Sequence, residues 1–298
     1  MSHWKLIRLE FGRNVAHFGE LGIGIEETSE RIRSDTLFSA WLSAYARLFP
    51  RLEVEEFIKQ YQVKPKFRLS STFIYQDLGN RIVDYLPRPL KPPLNYPKDD
   101  LAFVKTYKTL NYLPLEVWRR WYQGEGFSDR QELIDKTTGK ATGKATGELS
   151  RSGAFRYREA YEVQKLPKIA VDRMTRATNL YHTGMVQYRC EQNAQAVQSL
   201  SGLYFLAEFL DAEIEKTFLA VLDFLGGEGI GGERSSGAGQ FTRKALELSS
   251  EWDKTVNFSG GTHHSLISLF WQHPLPPDLL NGSSYELQER GGWITSVG

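Results

Sequence analysis

The spacing of apolar residues predicts a strand, a loop and a helix at the start of the chain. Apolar side chains alternate in part from Trp4 to Phe11, which predicts a first strand with Leu6 turned to the opposite face. A glycine-punctuated loop, AHFGELGIGIEE at residues 16–27, follows and is called the first loop. After it, seven apolar residues recur at helical spacing between residues 37 and 49. Ser34 is predicted to be the N-cap of this helix, and Asp35 to favour its start through the helix dipole.

Shorter elements are predicted along the rest of the chain. The first half is expected to continue with a short helix around 53–59, a strand over 67–75, an extended proline-rich connector over 85–97 and a helix over 115–122. The second half is expected to hold strands at 155–163, 203–209, 241–248, 265–270 and 285–289, with one helix whose apolar stripe ends at Leu225. Strands mixed with few helices favour an α+β fold built on antiparallel sheets.

One internal segment has no apolar residue larger than alanine. The residues from Thr137 to Gly147 repeat as TGKATGKATG between a predicted helix and a predicted strand. No buried surface there offsets the entropy lost on ordering, so the sequence predicts a mobile loop.

Composition excludes several classes of protein. The 298 residues carry 37 basic and 36 acidic side chains, so the net charge of +1 gives no general attraction to a polyanion. Cys190 is the single cysteine, which excludes an intramolecular disulfide or a cysteine metal cluster within the chain. No stretch approaches the roughly 20 apolar residues of a membrane span, so a cytoplasmic protein that is neither secreted nor membrane-bound is expected.

Charge is concentrated locally between residues 151 and 189. Eight Lys or Arg residues against three Asp or Glu give this stretch a charge of +5. This stretch places Lys168, Arg173, Arg176 and Arg189 among the aromatic residues Tyr181, His182 and Tyr188. Basic groups interleaved with aromatics suit single-stranded RNA. The alternative is a solvated hairpin whose aromatic side chains pack inward.

A glycine-rich segment from Gly226 to Gly239 permits two interpretations. It formally contains G-x-G-x-x-G, but it follows a helix, whereas a dinucleotide fold needs that motif between a strand and a helix; no cofactor is therefore expected. Glycines allow close backbone approach and amide groups turned outward as an anion nest, and Arg234, Ser235 and Ser236 add donors suited to phosphates. The alternative is a flexible surface turn.

Candidate catalytic groups are few. His263 and His264 are adjacent, so on a strand they would point to opposite faces and could not share a metal. His17 lies beside glycines and could act as a general base, as histidines do in metal-independent ribonucleases. A hydrogen-bonding or packing role for His17 is the alternative, and Cys190 has no flanking motif for a nucleophile.

The ordered motifs resemble a known family. The chain carries, in order, AHFGELGIG, RSDTLFSAW, LPRPLKPP, PKIAVDRMTRATNLY and GGERSSGAGQF, spread over nearly its whole length. Together they resemble the RAMP proteins of CRISPR systems, and within them the fourth-subunit family of type III-A Csm effector complexes. The pairing of an early SDTLF with a late GERSSGAGQF is the more specific part of this resemblance.

The resemblance implies an architecture and a role. It implies two ferredoxin-like, RRM-related modules at 1–123 and 151–298, joined by a flexible insertion at 124–150. Such a subunit holds the repeat-derived 5′ tag of the guide RNA between the large polymerase-like subunit and the repeating backbone subunit. It is not the nuclease, uses no metal, and carries a thumb hairpin that contacts the guide–target RNA duplex. Because the chain stops at Gly298, where family members continue with a further strand, a truncated second module is expected.

The resemblance also assigns RNA-binding residues. The candidates are His17, Phe18, Gly19, Ser34, Asp35, Lys168, Arg173, Arg176, Arg234, Ser235, Ser236 and Gly237. Asp172 is expected to orient an arginine rather than act as a catalytic acid. Two other functions stay open: a metal-independent endoribonuclease that processes CRISPR precursor RNA through His17, and an assembly protein that never touches RNA.

Overall fold

The protein, a computed structural model, is described here over residues 2–19, 24–96, 98–99, 101–124, 126, 152–193 and 196–291. Most of the predicted flexible insertion at 124–150, including the TGKATG repeat, lies outside the described residues. The strands are β1 His3–Glu10, β2 Val15–Ala16, β3 Phe67–Leu69, β4 Phe73–Asp77, β5 Ile82–Pro87, β6 Tyr112–Pro114, β7 Tyr161–Val171, β8 Thr178–Tyr188, β9 Cys190–Asn193, β10 Ala196–Ser199, β11 Ser201–Phe209 and β12 Thr242–Glu247. The α-helices are α1 Ser34–Leu48, α2 Arg51–Val63, α3 Leu101–Lys108, α4 Leu115–Gln123, α5 Ala212–Glu228 and α6 Ser250–Val256.

One antiparallel sheet brings together strands from both ends of the chain. Its strand order is β12-β1-β11-β4-β5-β6, and β3 also pairs with β11. The first strand therefore lies between β11 and β12, which come from the last third of the sequence. The predicted α+β class and antiparallel sheets are confirmed, whereas the division into two ferredoxin-like modules stays a prediction.

Helices cover both faces of this sheet. Successive side chains of a strand point to opposite faces, and in β11 Phe205 joins one buried cluster while Leu206 joins the other. The first cluster packs against α1, α2 and α5, where Trp41 stacks on Phe218 at 5.2 Å and donates from its indole nitrogen to the Phe218 carbonyl. The second packs against α3, α4 and α6. The continuous apolar run of β11 is explained by burial on both sides.

A polar network lies largely buried within the second face, where the Arg8 and Asp84 side chains are 14% and 13% exposed. The Arg8 guanidinium contacts the Asp84 carboxylate at 3.3 Å and lies 4.9 Å from the centre of the Tyr75 ring. The Trp252 indole nitrogen donates to the other Asp84 oxygen at 2.9 Å. Burial raises the pKa of Asp84 although Arg8 opposes that shift. Asp84 thus ties β1, β5 and α6 together through charge as well as packing.

Two smaller sets of strands lie outside the main sheet. β7 and β8 form a long hairpin with eleven registered pairs, and the short β2 pairs with β8 near the hairpin base. β9 and β10 form a second, shorter hairpin. The β7–β8 hairpin carries much of the basic stretch identified in the sequence.

Several predicted elements agree with the structure. β1 places Leu6 in the second buried cluster and Ile7 and Leu9 in the first, which confirms that Leu6 faces the opposite side. The helices at 115–122 and before Leu225, and the strands at 203–209 and 241–248, are also confirmed within a few residues.

Other predicted elements are wrong. The strand expected over 67–75 is broken by the buried polar segment 70–72, whose side chains bond backbone groups instead. Residues 156–159 form a 3-10 helix, with Tyr157 buried, before β7 begins. The segment 265–270 is irregular, because its amides and carbonyls bond to other elements, as when the Ser71 amide donates to the Ile267 carbonyl. The segment 285–289 is also irregular and is mostly exposed.

The start of α1 also differs from the prediction. Arg33 occupies the N-cap position and makes no side-chain cap. Ser34 lies inside the helix, where its amide donates to the Ser71 hydroxyl and its own hydroxyl accepts from the Leu269 amide at 3.0 Å. The Ser34 hydroxyl and amide are therefore bonded to neighbouring segments, and the hydroxyl does not cap the helix.

Candidate nucleic-acid interface

The distal end of the β7–β8 hairpin is exposed on both strands. Every residue from 171 to 180 is exposed, and the cross-strand pair Ile169 and Leu180 is 65% and 62% exposed. Met174 at the tip is 93% exposed. An apolar pair this accessible is not core, so the hairpin presents both apolar and basic side chains to solvent.

Two arginines at this tip are free cations. Arg173 and Arg176 are exposed, and no ion pair joins either of them to another residue in the described part of the chain. Arg176 adopts a left-handed backbone conformation with φ of 57°, which places it in the turn. Unpaired guanidinium groups on an exposed turn are available to phosphates.

The Asp172 carboxylate stabilises the turn itself and does not orient an arginine. Its carboxylate accepts from the Met174 amide at 2.8 Å and from the Thr175 hydroxyl at 2.6 Å. These hydrogen bonds, the Thr175 bond first, lower the pKa of the Asp172 carboxyl. The expectation that Asp172 orients an arginine is wrong, because local donors in the turn use its oxygens.

The aromatic side chains of the hairpin divide between core and surface. Tyr188 is fully buried and donates to the Glu30 carbonyl at 2.7 Å, whereas Tyr181 and His182 are half-buried. Side chains at the hairpin base therefore pack inward, whereas those at its distal end are exposed.

The glycine-rich segment packs closely on the protein's own backbone. Gly231 and Gly239 have φ of 96° and 79°, and a Cβ there would lie 2.2 Å from the His17 carbonyl oxygen and 2.1 Å from that of Ile230. Several amides of the segment are used internally, as when Gly232 donates to His17 and Gly239 to Val15. The glycines mainly allow this close packing, and only part of the expected anion nest remains open.

The open part is the 3-10 turn Arg234–Ser236. Arg234, Ser235, Ser236 and Gly237 are all exposed. The amides of Arg234 and Ser235 begin the turn, and neither donates to a group among the described residues. Two amides, a guanidinium and hydroxyls on one exposed turn form a suitable set of donors for a phosphate.

His17 joins three of the four predicted RNA-binding segments. Its Nδ1 lies 2.7 Å from the Gly184 carbonyl of β8, and its own carbonyl accepts from the Gly232 amide at 2.9 Å. The imidazole packs between Gly19 and Gly232. First loop, hairpin and glycine-rich segment therefore meet at one residue, which we call the His17 junction.

The geometry of His17 bears on the general-base hypothesis. A carbonyl can only accept, so Nδ1 carries the proton and Nε2 of the neutral ring is left as the acceptor. Although this is the tautomer that a base needs, His17 is only 8% exposed. Its contacts are those of a packing and hydrogen-bonding residue, and the endoribonuclease hypothesis stays a prediction.

Lys168 links the hairpin to the glycine-rich segment. Its ammonium group forms an ion pair with Glu233, and the two side chains are 25% and 20% exposed. A second ion pair, between Lys165 and Glu26 at 3.8 Å, joins the hairpin to the first loop. The middle of the hairpin is thus held by two acidic partners. At ~3.3 Å per residue, Arg173 lies on the order of 15 Å beyond Lys168 along the hairpin.

The other predicted site residues lie differently. Phe18 is 5% exposed and packs in the core against Phe11, so its ring has no free face on which a base could stack. Gly19 is exposed beside the His17 ring. Ser34 and Asp35 contact a separate part of the chain, where Asp35 accepts two hydrogen bonds from Arg290. The structure joins the first, hairpin and glycine-rich segments but does not join Ser34 and Asp35 to them.

Sequence reasoning did not single out Gly184 or Glu233. Gly184 supplies the carbonyl for His17, and a Cβ there would lie 2.5 Å from the Glu26 carbonyl oxygen. Glu233 is the acid within GGERSSGAG, and its charge opposite a basic hairpin was the signal available in the sequence.

The described residues contain neither a cluster of metal-binding side chains nor a helix that could span a membrane. No group of three or more His, Cys, Asp or Glu side chains there is arranged to hold a metal ion. No helix in the same part of the chain is both long and apolar enough to cross a membrane.

Comparison with known proteins identifies relatives. No family model matches the chain. Its sequence is similar to the CRISPR system protein Csm4 of Methanocaldococcus jannaschii, with 23% identity over 307 residues that cover 94% of this chain and 77% of that protein.

One solved structure has a similar fold. The fold is similar to a chain in the crystal structure of a Csm3–Csm4 subcomplex of the type III-A CRISPR-Cas interference complex, with a TM-score of 0.53 and 17% identity, covering 84% of this chain and 71% of that chain. A chain of a Csm1–Csm4 cassette in complex with pppApA gives a TM-score of 0.44 and 18% identity, covering 84% and 71%. The sequence similarity along most of the chain confirms the family resemblance, and the chain is a Csm4-like CRISPR protein.

Proposed function

We propose that the chain is a non-catalytic, guide-RNA-binding subunit of a type III-A CRISPR effector complex. In this role it holds the repeat-derived 5′ tag of the guide RNA and bridges the large polymerase-like subunit and the repeating backbone subunit. The similarity to Csm4, and the assembly of the related chains with Csm3 and with Csm1, support this assignment.

The observation that carries the proposal is the His17 junction. Three segments far apart in sequence meet there, and each contributes groups that bind RNA backbones. The turn beginning at Arg234 offers amides, hydroxyls and a guanidinium, while the hairpin adds the unpaired Arg173 and Arg176. A strand of RNA lying from the glycine-rich turn along the hairpin would meet donors at the turn and again at the hairpin tip.

The hairpin end suits a duplex as well as a single strand. Ile169, Leu180 and Met174 form an exposed apolar tip flanked by arginines. Apolar side chains inserted between bases unstack them, and neighbouring cations hold the backbone. We therefore assign the tip to the region where guide RNA pairs with target RNA.

Charge reversal at the hairpin tip tests the proposal. We expect Arg173→Glu with Arg176→Glu to weaken guide-RNA binding by at least tenfold at about 0.15 M salt, because two phosphate contacts become repulsive. The slope of log K against log salt should fall by roughly 1.4, the single-strand value for two contacts. Fluorescence anisotropy with labelled guide RNA over a salt series measures both quantities.

A matched control comes from two other exposed arginines. Arg51 and Arg68 are 90% and 74% exposed on α2 and β3, and their reversal to Glu changes the net charge equally. This control should bind guide RNA as the wild type does. Unchanged guide retention by the Arg173 and Arg176 variant at matched salt would overturn the assigned contact. Cleavage of repeat RNA by the intact protein in EDTA would instead favour the endoribonuclease.

A further inference from the structure

We propose that Glu233 is a built-in substitute for an RNA phosphate, which neutralises Lys168 in the free protein and must be displaced when RNA binds. This inference rests on the proposed RNA-binding function and adds a specificity-determining residue to the same site. It assigns Lys168 two alternative anionic partners, the Glu233 carboxylate without RNA and a phosphodiester with RNA.

The position of Glu233 is strongly determined by its backbone. It adopts a left-handed conformation with φ of 58° immediately before the 3-10 turn. Its carbonyl accepts from the Ser236 amide at 3.0 Å, the Ser236 hydroxyl at 2.8 Å and the Ala238 amide at 3.3 Å. These bonds hold the residue so that its carboxylate reaches across to the hairpin and pairs with Lys168.

A purely structural role accounts poorly for this arrangement. A left-handed conformation is unfavourable for a residue other than glycine, by about as much as a partly exposed ion pair contributes. Glycine would relieve the backbone, and the chain has glycines at Gly231 and Gly232 just before this position. The presence of a glutamate at position 233 is therefore better explained by a function of its charge than by a contribution to folding stability.

The surroundings of the carboxylate are those of an anion site. Lys168 binds it from the hairpin, and the open amides of Arg234 and Ser235 follow it directly in the chain. Arg234 itself is exposed beside them. A phosphate binding at this turn would place a second negative charge near Glu233, so the two anions compete for the same cation.

This competition gives selectivity. An RNA that contacts only the glycine-rich turn must break the Lys168–Glu233 ion pair for little gain. An RNA that also lies along the hairpin and reaches Arg173 and Arg176 offsets that loss through its additional contacts. The acid therefore disfavours short or partial engagement more than full engagement.

Removing the charge on Glu233 tests the inference. In the full-length chain we expect Glu233→Gln to raise affinity for a short single-stranded RNA that lacks the repeat-derived tag by roughly five- to tenfold. The gain should disappear when Lys168→Met is also present, because the acid acts through that lysine. Anisotropy titrations of wild type, both single variants and the double variant give the coupling directly.

The control is an ion pair in the main sheet, away from the hairpin. Glu247 pairs with Lys5, so Glu247→Gln makes the same change of charge and should leave RNA affinity unchanged. Glu233→Asp keeps the charge but shortens the side chain by a methylene, and it should give a smaller gain. Thermal melting of each variant identifies any loss of folding.

The outcomes separate the two proposals. Wild-type protein that binds no RNA would overturn the proposed function, and with it the basis of the inference. Wild-type protein that binds RNA while folded Glu233→Gln binds no better would overturn the inference alone. A gain that persists with Lys168→Met would also overturn it, because Glu233 would then repel RNA without acting through Lys168.

Discussion

Replacement of Gly239 by alanine is expected to lower the free energy of unfolding by about 2–5 kcal/mol, from a left-handed backbone cost of ~1–2 kcal/mol and overpacking of ~1–3 kcal/mol. Gly239 has φ of 79°, and an added Cβ would lie 2.1 Å from the Ile230 carbonyl oxygen and 2.8 Å from the Ile230 nitrogen. The backbone cannot easily shift, because Gly239 donates to Val15 at 2.8 Å and accepts from Ile230 at 2.9 Å. Urea denaturation measures the loss, and RNA binding should fall with it as the glycine-rich turn moves.

Gly237 provides the matched control for this change. Its φ of 85° is equally unfavourable for alanine, but no atom lies within 4 Å of an added Cβ. Gly237→Ala should therefore cost only the conformational part, about 1–2 kcal/mol. Equal losses for the two variants would show that the segment is not packed against Ile230 as described.

Replacement of Asp84 by alanine is expected to destabilise the protein by up to about 3–5 kcal/mol, the cost of removing one partner from a buried ion pair, because the Arg8 and Asp84 side chains are only 14% and 13% exposed. The variant leaves the largely buried Arg8 guanidinium with no ion-pair partner among the described residues and leaves the Trp252 indole without its acceptor. Since these residues lie in β1 and α6, the loss should appear in the global unfolding transition. Chemical denaturation followed by tryptophan fluorescence and by circular dichroism tests this with two independent probes.

An exposed ion pair is the control for Asp84. Asp223 pairs with Arg243 at 2.6 Å, and its side chain is 56% exposed. Asp223→Ala should cost no more than about 1 kcal/mol, the usual upper value for such pairs. A comparable loss for both variants would contradict the importance assigned to burial of the Asp84 network.

Local patterns predicted local structure well. The partial alternation in β1 predicted that Leu6 faces the opposite side of the sheet from Ile7 and Leu9, and the helical stripe predicted α1. Both patterns arise because apolar side chains are buried between the sheet and the helices that cover it. The unbroken apolar run of β11 predicted a buried strand for the same reason. In each case the element is specified by the apolar residues that recur along its own buried face.

Long-range partners could not be predicted in this way. Ser34 was expected to cap α1, but segments 70–72 and 267–269 compete for its groups, and nothing near residue 34 indicates them. The segments 265–270 and 285–289 have strand-like composition yet form no strand, and the backbone of the first bonds to Ser34 and Ser71 instead. The antiparallel pairing of β1 with β11 likewise depends on residues about 200 positions apart.

The candidate site shows the same division. Motif position was enough to propose the first loop, the hairpin and the glycine-rich turn, and the structure joins them at His17. It was not enough to assign individual roles. Phe18 carries an aromatic ring but packs in the core, while Glu233 carries a charge that is meaningful only opposite Lys168. Which side chain faces outward is set by tertiary packing, and a motif does not encode it.

A residue-resolved RNA crosslink map of the assembled complex tests the central claim most directly. With photoreactive guide RNA, we expect crosslinks from the repeat-derived 5′ tag to the turn Arg234–Ser236 and to the first loop beside Gly19, and crosslinks from adjoining nucleotides to the hairpin at 173–176. Crosslinks confined to the neighbouring subunits, with none to this chain in an intact complex, would contradict the account and favour a protein that acts only in assembly.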